Sequence, residues 1–178
     1  DIIFFVVDVT SGLTGLDEEV ALRLRSTGKP VILVINKVDG DIATPHLHEF
    51  DRLGFSQVFE VSSLHRRGIP ALMSEALRDF GSVEPERALP RLKIAVLGRP
   101  NVGKSSLFNS ILKKRHAIVH FDSGVTRDRV STTGVVNGRR FRLVDTGGLG
   151  MGKGEKRGVD FWGQSIEKQV EVAIADAD

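Results

Sequence analysis

The sequence predicts an α/β protein built on a doubly wound, mostly parallel sheet of six strands. Three continuous apolar runs have the pattern of parallel strands covered on both faces: Ile2–Val7, Val31–Ile35 and Lys93–Leu97. Segments with apolar residues at helical spacing separate these runs, which is typical of alternating strands and helices. Asn137-Gly138 joins Arg129–Val136 to Arg139–Val144 as a hairpin, which predicts one antiparallel edge strand.

The first two helices follow from their end signals. Asp17 is expected to cap a helix that runs to about Ser26, before a Gly and a Pro stop it. Thr44-Pro45 gives a second N-cap with proline at the first helical position. Phe50 and Leu53 then form the apolar face of that helix, and we expect them in the core.

The later elements alternate in the same way. A strand is predicted at Gln57–Val61, and Pro70 starts a helix with apolar residues at helical spacing. Gly81–Pro90 has two prolines and mixed charge, so we interpret it as a linker. Ser106–Lys114 and Phe161–Ala177 are predicted to be helices, each with one apolar face.

A phosphate-binding loop, the P-loop, is predicted where the strand Lys93–Leu97 meets the next helix. Glycines allow the backbone N–H groups to turn inward, Lys104 can reach the terminal phosphates, and the Ser105 hydroxyl can coordinate Mg²⁺. Ser106, at the start of the helix, is counted with the loop. The predicted nucleotide-binding residues here are Gly98, Arg99, Pro100, Asn101, Val102, Gly103, Lys104, Ser105 and Ser106.

A second polar segment follows the strand that ends at Val144. Its members are predicted to bind the nucleotide: Asp145, Thr146, Gly147, Gly148 and Leu149. Asp145 suits Mg²⁺ binding through water, and the Gly148 N–H suits a γ-phosphate. Thr126, within Arg115–Asp128, is the predicted sensor of Mg²⁺ and γ-phosphate in a first switch loop. Gly147–Gly163 is expected to become ordered when a γ-phosphate is bound.

Guanine recognition is predicted upstream, after the strand Val31–Ile35. In Asn36-Lys37-Val38-Asp39, the carboxylate can accept both N–H groups of the guanine edge and reject adenine. Asn36, Lys37 and Asp39 are therefore predicted to bind the nucleotide. Ser62, Ser63 and Leu64 end another strand and could offer N–H groups to the base.

These motifs resemble the translation-factor class of GTPases, but guanine recognition here precedes the P-loop. Two explanations remain open: a circularly permuted GTPase, or a piece that spans the junction of a tandem GTPase. The second is favoured because residues 12–19, 28–39, 98–109 and 124–128 resemble the Der (EngA) family of bacterial ribosome-biogenesis GTPases, which have two successive G domains. Residues 1–80 then match the back half of the first G domain, and residues 91–178 the front half of the second.

The resemblance implies a function for the chain. It implies GTP and GDP as ligands, Mg²⁺ as cofactor, and a role in assembly of the large ribosomal subunit. The full-length protein would contact that subunit or its RNA. It also implies that Asn101 holds a K⁺ ion that assists hydrolysis. Lys104, Asn101, Thr126 and Gly148 are the predicted catalytic residues. Leu149 stands where Ras-like enzymes carry a water-orienting Gln, so hydrolysis should be slow.

The two segments 1–80 and 91–178, joined by the linker 81–90, are expected to form one compact, Ras-like G domain with a circularly permuted motif order. Separate halves would leave apolar strands with bare edges. Closure within one chain and closure between two chains of a domain-swapped dimer both satisfy this expectation, so the protein is either a monomer or such a dimer. A nucleotide-binding module without turnover is the alternative function.

Composition limits the remaining possibilities. The 178 residues are 40% hydrophobic and 27% charged, which is ordinary for a globular protein, and the net charge of +2 does not by itself indicate nucleic-acid binding. The chain has no cysteine and no apolar run of membrane-spanning length, so a cytoplasmic location without membrane contact is expected. The lack of an initiating Met and the end at Ala175-Asp176-Ala177-Asp178 suggest an excised fragment. His46 and His48 lack a third ligand, so no zinc site is expected.

Overall fold

The computed structural model describes residues 2–39, 41–78, 92–112, 130–136, 139–145 and 171. Within these ranges, six strands form a single sheet in the order β3-β2-β1-β4-β6-β5. The strands are β1 (Ile2–Asp8), β2 (Val31–Asn36), β3 (Val58–Glu60), β4 (Leu92–Leu97), β5 (Val130–Val136) and β6 (Arg139–Asp145). All neighbours pair in parallel except β5 and β6. The predicted fold class and the antiparallel edge strand are therefore confirmed.

The strand β1 lies near the centre of the sheet, between β2 and β4. All of its residues are buried, as its continuous apolar sequence predicts. Because side chains alternate along a strand, Phe4 and Val6 enter one hydrophobic core, while Phe5 and Val7 enter the other. The sheet thus has a core on each face.

The first helix, α1 (Gly15–Ser26), packs on the face of Phe5 and Val7. Its N-cap is Thr14, whose side chain accepts from the Asp17 N–H, and Asp17 accepts from the Thr14 N–H in return. The expectation that Asp17 caps the helix was therefore wrong by one turn. Asp17 is instead the third helical residue of a capping box.

The segment expected to be an α-helix from Thr44 is a 3₁₀ helix, Asp41–Leu53, on the same face as α1. Leu47, Phe50 and Leu53 all contact this core. Their spacing of three residues explains the difference, because residues i and i+3 lie directly above one another in a 3₁₀ helix. The predicted burial of Phe50 and Leu53 is confirmed, since each is 1% exposed.

Two helices cover the opposite face of the sheet. They are α2 (Ile69–Ala76), with Pro70 in its first turn, and α3 (Lys104–Leu112), which begins two residues earlier than predicted. Of the predicted helix Phe161–Ala177, the structure describes only Glu171, which is helical. The linker 81–90 and the hairpin turn Asn137-Gly138 lie outside the described residues. No helix among the described residues is long and apolar enough to cross a membrane.

Candidate nucleotide-binding site

The P-loop, the Asn36–Asp39 segment and residues 62–64 meet at one edge of the sheet, beyond the carboxyl ends of β1, β2 and β4. Asp8 at the end of β1 pairs with Asn36 at the end of β2, and Phe5 pairs with Leu97 at the end of β4. The P-loop (residues 98–105) follows Leu97 directly. In open α/β sheets this edge is where ligands bind.

The P-loop backbone requires its glycines. Gly98 has φ +146°, and a Cβ there would lie 2.2 Å from the Val6 carbonyl oxygen. Gly103 has φ +94°, and a Cβ there would lie 2.2 Å from Nδ2 of Asn36. Asn101 also has a positive φ, +65°, which asparagine tolerates better than most residues. Both glycines therefore allow the loop to pass close to β1 and to Asn36.

Lys104 and the start of α3 provide positive charge beside this loop. The Lys104 Nζ donates to the carbonyls of Gly98, at 2.7 Å, and Arg99, at 2.9 Å, so the buried ammonium lies along the loop. The Gly103 carbonyl accepts from the Leu107 N–H, which starts the helical hydrogen bonding of α3. The first N–H groups of a helix have no acceptor within it, so this end is suited to an anion.

Asn36 connects the P-loop to the serine loop (residues 62–64). This side chain is 1% exposed, and its Nδ2 donates to the Val102 carbonyl at 2.7 Å. Its Oδ1 accepts from the Ser63 N–H at 3.0 Å and from the Ser63 hydroxyl at 2.8 Å. The Ser110 hydroxyl of α3 donates to the Ser63 carbonyl. One buried amide therefore contacts both predicted binding segments.

Lys37 binds the neighbouring strand end. Its Nζ donates to Oδ2 of Asp8 at 2.6 Å, while Thr10 donates through its N–H and its hydroxyl to Oδ1 of Asp8. Burial raises the pKa of Asp8, but the hydrogen bonds from Lys37 and Thr10 and the charge of Lys37 outweigh it, so this pKa is below its ordinary value of 3.8. Asp8 is therefore a charged partner that holds the Lys37 side chain. The backbone of Lys37 has a positive φ, +67°.

Asp39 is exposed at this edge, where a ligand can reach its carboxylate. The serine loop offers fewer N–H groups than its sequence suggests. The N–H of Ser63 donates to Asn36, and that of Ser62 donates to the Arg67 carbonyl. Among the described residues, the Leu64 N–H has no acceptor, and its side chain is exposed. Leu64 is thus the residue of this loop with an N–H available to a base.

Arg99 leaves the P-loop toward the start of α1. Its Nη2 donates to the Ser11 hydroxyl, and its Nε lies 3.3 Å from Oδ1 of Asp17. Pro100 and Asn101 stand at the tip of the loop, and Asn101 is exposed. The structure thus joins the P-loop to the segment that follows β1 as well as to Asn36.

Several predicted site residues lie outside the described part of the chain: Thr126, Thr146, Gly147, Gly148 and Leu149. The segment Gly147–Gly163, which is expected to become ordered when a γ-phosphate is bound, lies outside it too. Asp145 is the last residue of β6, and its backbone pairs with Val96 near the end of β4. Its carboxylate is outside the described part. Ser105 is half-buried and Ser106 is exposed in the first turn of α3.

Sequence reasoning did not identify Asp8, Ser11, Asp17 or Ser110 as neighbours of the site. Asp8 carried a usable signal, because it is the first polar residue after the apolar run Ile2–Val7. Thr14-x-x-Asp17 also carried one, as a capping-box pattern. Ser11 and Ser110 carried none, since their partners lie far away in the chain.

Comparison with known proteins agrees with this geometry. Residues 93–177 match the protein family described as 50S ribosome-binding GTPase. The chain is 41% identical, over 99% of its length, to GTPase Der from Methylibium petroleiphilum, of which it covers 40%. It is 40% identical, again over 99% of its length, to GTPase Der from Stenotrophomonas maltophilia, of which it also covers 40%.

Among solved structures, the crystal structure of YjeQ from Thermotoga maritima superimposes with a TM-score of 0.51 at 19% identity. The match covers 82% of this chain and 46% of that chain, and it supports the fold alone. The resemblance to the Der family that the motifs carry is confirmed. The chain is accordingly a homologue of the GTPase Der proteins and spans about 40% of the length of those relatives.

Proposed function

We propose that this chain binds GTP and GDP at the edge formed by the carboxyl ends of β1, β2 and β4. The observation that carries the proposal is the buried Asn36 side chain, which contacts the Val102 carbonyl of the P-loop and Ser63 of the serine loop. The segment proposed to bind phosphate and the segment proposed to bind the base are thereby held in fixed relation by one side chain. A nucleotide is the ligand that needs both.

The phosphates would bind at the N-terminus of α3. Three backbone features support this: the positive φ angles of Gly98, Asn101 and Gly103, which shape the loop around an anion. The Lys104 ammonium, now bonded to the carbonyls of Gly98 and Arg99, is close enough to the loop to exchange a carbonyl partner for a phosphate oxygen. Charge-assisted hydrogen bonds favour that exchange.

The base would bind between Asp39 and the serine loop. The exposed Asp39 carboxylate accepts from both N–H groups on the guanine edge, whereas adenine offers an acceptor at one of those positions. The Leu64 N–H is available for the guanine carbonyl. Lys37, whose Nζ donates to Asp8 at 2.6 Å, would lie beside the base. Guanine is therefore the base expected here.

We further propose slow GTP hydrolysis. The Ser105 hydroxyl and the Asp145 residue at the adjacent strand end supply oxygen donors, which fits Mg²⁺, and with Thr126 they are the residues that would hold it. Bound Mg²⁺ would neutralise charge on the phosphates. Asn101, exposed on the loop, would hold K⁺ through its side-chain oxygen, and Gly148 would contact the γ-phosphate. Leu149 cannot orient water, so turnover is slow.

In a longer protein, this site would act as a switch in assembly of the large ribosomal subunit. The family description, 50S ribosome-binding GTPase, and the name GTPase Der support this proposal. We also propose that residues 1–80 and 91–178 act as one G domain with a permuted motif order. The pairing of β1 with β4, which joins the two segments in one sheet, supports a single domain made of both.

Nucleotide selectivity tests the binding proposal directly. Fluorescent GDP should bind, and unlabelled GTP and GDP should displace it at far lower concentrations than ATP. Asp39→Asn should weaken GDP binding by about a hundredfold and favour xanthine nucleotides, because an amide can donate where the carboxylate accepted. Equal competition by ATP, or no GDP binding by the wild-type chain, would refute the proposal.

Turnover separates an enzyme from a module that only binds nucleotide. Phosphate release from GTP should be faster in K⁺ than in Na⁺, and Asn101→Ala should remove that difference while GDP still binds. Electrostatic groups of this kind contribute about ten- to thousandfold in rate. GDP binding without any phosphate release would support the binding module instead.

A further inference from the structure

The Arg99 side chain belongs to the P-loop but does not turn toward the place where phosphates would lie. It is 19% exposed, and its guanidinium extends to Ser11 and Asp17, which follow β1 in the chain. Ser11 and Asp17 belong to one segment of the chain and Arg99 to another, and Arg99 is 88 positions away from Ser11. This contact therefore exists only in the folded chain.

Asp17 is the unusual member of the group, because its carboxylate is 1% exposed. Its Oδ2 accepts from the Thr14 N–H at 3.1 Å and from the Thr14 hydroxyl at 2.6 Å, which completes the capping box of α1. Its Oδ1 has no hydrogen-bond donor among the described residues. The Arg99 Nε, 3.3 Å away, supplies the positive charge that a buried carboxylate needs.

On the other side of the P-loop, Asn36 holds the Val102 carbonyl at 2.7 Å. Arg99 and Asn36 thus fix the loop from two sides, at positions on either side of Asn101, whose φ is +65°. The Arg99 carbonyl also accepts from the Lys104 Nζ at 2.9 Å. A displacement of Arg99 would consequently move a partner of the phosphate-binding lysine.

We propose that Arg99 is a positioning residue, and that its guanidinium, held by Ser11 and Asp17, keeps the P-loop in its anion-binding shape. The inference rests on the proposed nucleotide binding and extends it, because it links the occupied site to the start of α1. By thermodynamic linkage, a nucleotide that needs this loop shape also stabilises the contact of Arg99 with Asp17. Lysine would be a poor substitute, since a single ammonium lacks the planar fork that reaches both partners.

A double-mutant cycle on GDP affinity tests the proposal. Arg99→Ala and Asp17→Asn should each weaken fluorescent-GDP binding by about tenfold, the scale of one partly buried ion pair. Because both remove the same contact, the double variant should bind about as weakly as the weaker single variant. Asp17→Asn keeps a side-chain oxygen that can accept in the capping box. Ser11→Ala leaves that box intact and should also weaken GDP binding.

Arg25→Ala is the matched control, because Arg25 also reaches across the fold, to the Leu53 carbonyl at 2.9 Å, but at the other end of α1. It should leave GDP affinity unchanged. Hydrogen exchange gives the second readout: GDP should slow exchange of the Asp17 N–H in the wild-type chain, and this protection should be lost in Arg99→Ala. A purely structural Arg99 would lower the unfolding midpoint without moving either readout.

Three results would overturn the inference: unchanged GDP affinity in Arg99→Ala, additive losses in the double variant, or equal protection of Asp17 in both proteins. Each presupposes that the wild-type chain binds GDP. If the wild-type chain shows no binding, the proposed function itself fails, and the outcome is distinct from a failure of the Arg99 contact alone.

Discussion

Replacement of Asn36 by alanine is expected to be the most damaging single polar substitution in the site. The wild-type side chain makes three hydrogen bonds: one to the Val102 carbonyl and two from Ser63. All are buried, since Asn36 is 1% exposed and Ser63 is 4% exposed. Water cannot replace the amide without entering a closed position between two loops.

The magnitude follows from these contacts. Each hydrogen bond contributes about 1 kcal/mol net, and a buried group left without a partner costs about 1–3 kcal/mol. Asn36→Ala leaves the Val102 carbonyl and the Ser63 N–H in that condition, so the free energy of unfolding should fall by about 3 kcal/mol. With a urea m-value of about 2 kcal/mol/M, the unfolding midpoint should fall by about 1.5 M.

Urea unfolding followed by circular dichroism measures this difference, and fluorescent-GDP affinity should fall in parallel because two binding segments separate. Gln57→Ala is the matched control. It removes an amide whose Nε2 donates to Glu75 at 3.0 Å in a less buried position, so it should cost less than about 1 kcal/mol. If Asn36→Ala and Gln57→Ala lower the midpoint equally, the reasoning that assigns Asn36 its central role is wrong.

Three further variants probe the backbone and the charged pair beside the site. Gly98→Ala should abolish nucleotide binding and lower the unfolding midpoint, because its Cβ would meet the Val6 carbonyl at 2.2 Å; a variant that binds GDP normally would contradict this geometry. Gly134→Ala should destabilise the fold by about 1–3 kcal/mol, since its Cβ would meet the Phe141 ring at 2.5 Å, but GDP affinity at temperatures well below unfolding should not change. Asp8→Asn should cost about 1 kcal/mol at neutral pH. Because the folded-state pKa of Asp8 is lowered, that stabilisation is present above its ordinary value of 3.8 and is lost as the pH falls further, so the two unfolding curves should converge in that acidic range.

Much of the fold could be predicted from the sequence because the central strands have an unambiguous hydrophobic pattern. Ile2–Val7, Val31–Ile35 and Lys93–Leu97 are continuous apolar runs, and only a sheet covered on both faces buries such runs. The structure extends each run by at most one residue at either end. In the observed order all three runs lie inside the sheet, with β3 and β5 at its edges, so none of them forms an exposed apolar edge.

The helix beginnings were harder to predict because several polar residues compete to cap them. Thr14 and Asp17 both suit a helix start, and the structure shows that they act together. The segment Asp41–Leu53 was predicted to be an α-helix but is a 3₁₀ helix. Its apolar residues Leu47, Phe50 and Leu53 are spaced by three, so a 3₁₀ helix places all three against the core.

The side-chain partners within the site were the least predictable feature. The sequence indicated that Arg99, Lys37 and Ser63 belong to binding segments, but not that each would bind another part of the protein. Their partners are determined by the packing of the whole sheet, as in the contact of Asn36 with Val102, 66 positions away. Local pattern carries no information at that range.

The sheet also fixes the separation of the two halves of the site. The P-loop follows β4 and the Asn36–Asp39 segment follows β2, with β1 hydrogen-bonded between them. Neighbouring strands lie about 4.8 Å apart, so the two segments start about 10 Å apart, a span that a nucleotide can bridge. This spacing does not depend on any side chain at the edge. Substitutions at Asp39 should therefore change which base binds, whereas substitutions at Arg99 should change how tightly any nucleotide binds, because base and phosphates are held by separate strands of one rigid sheet.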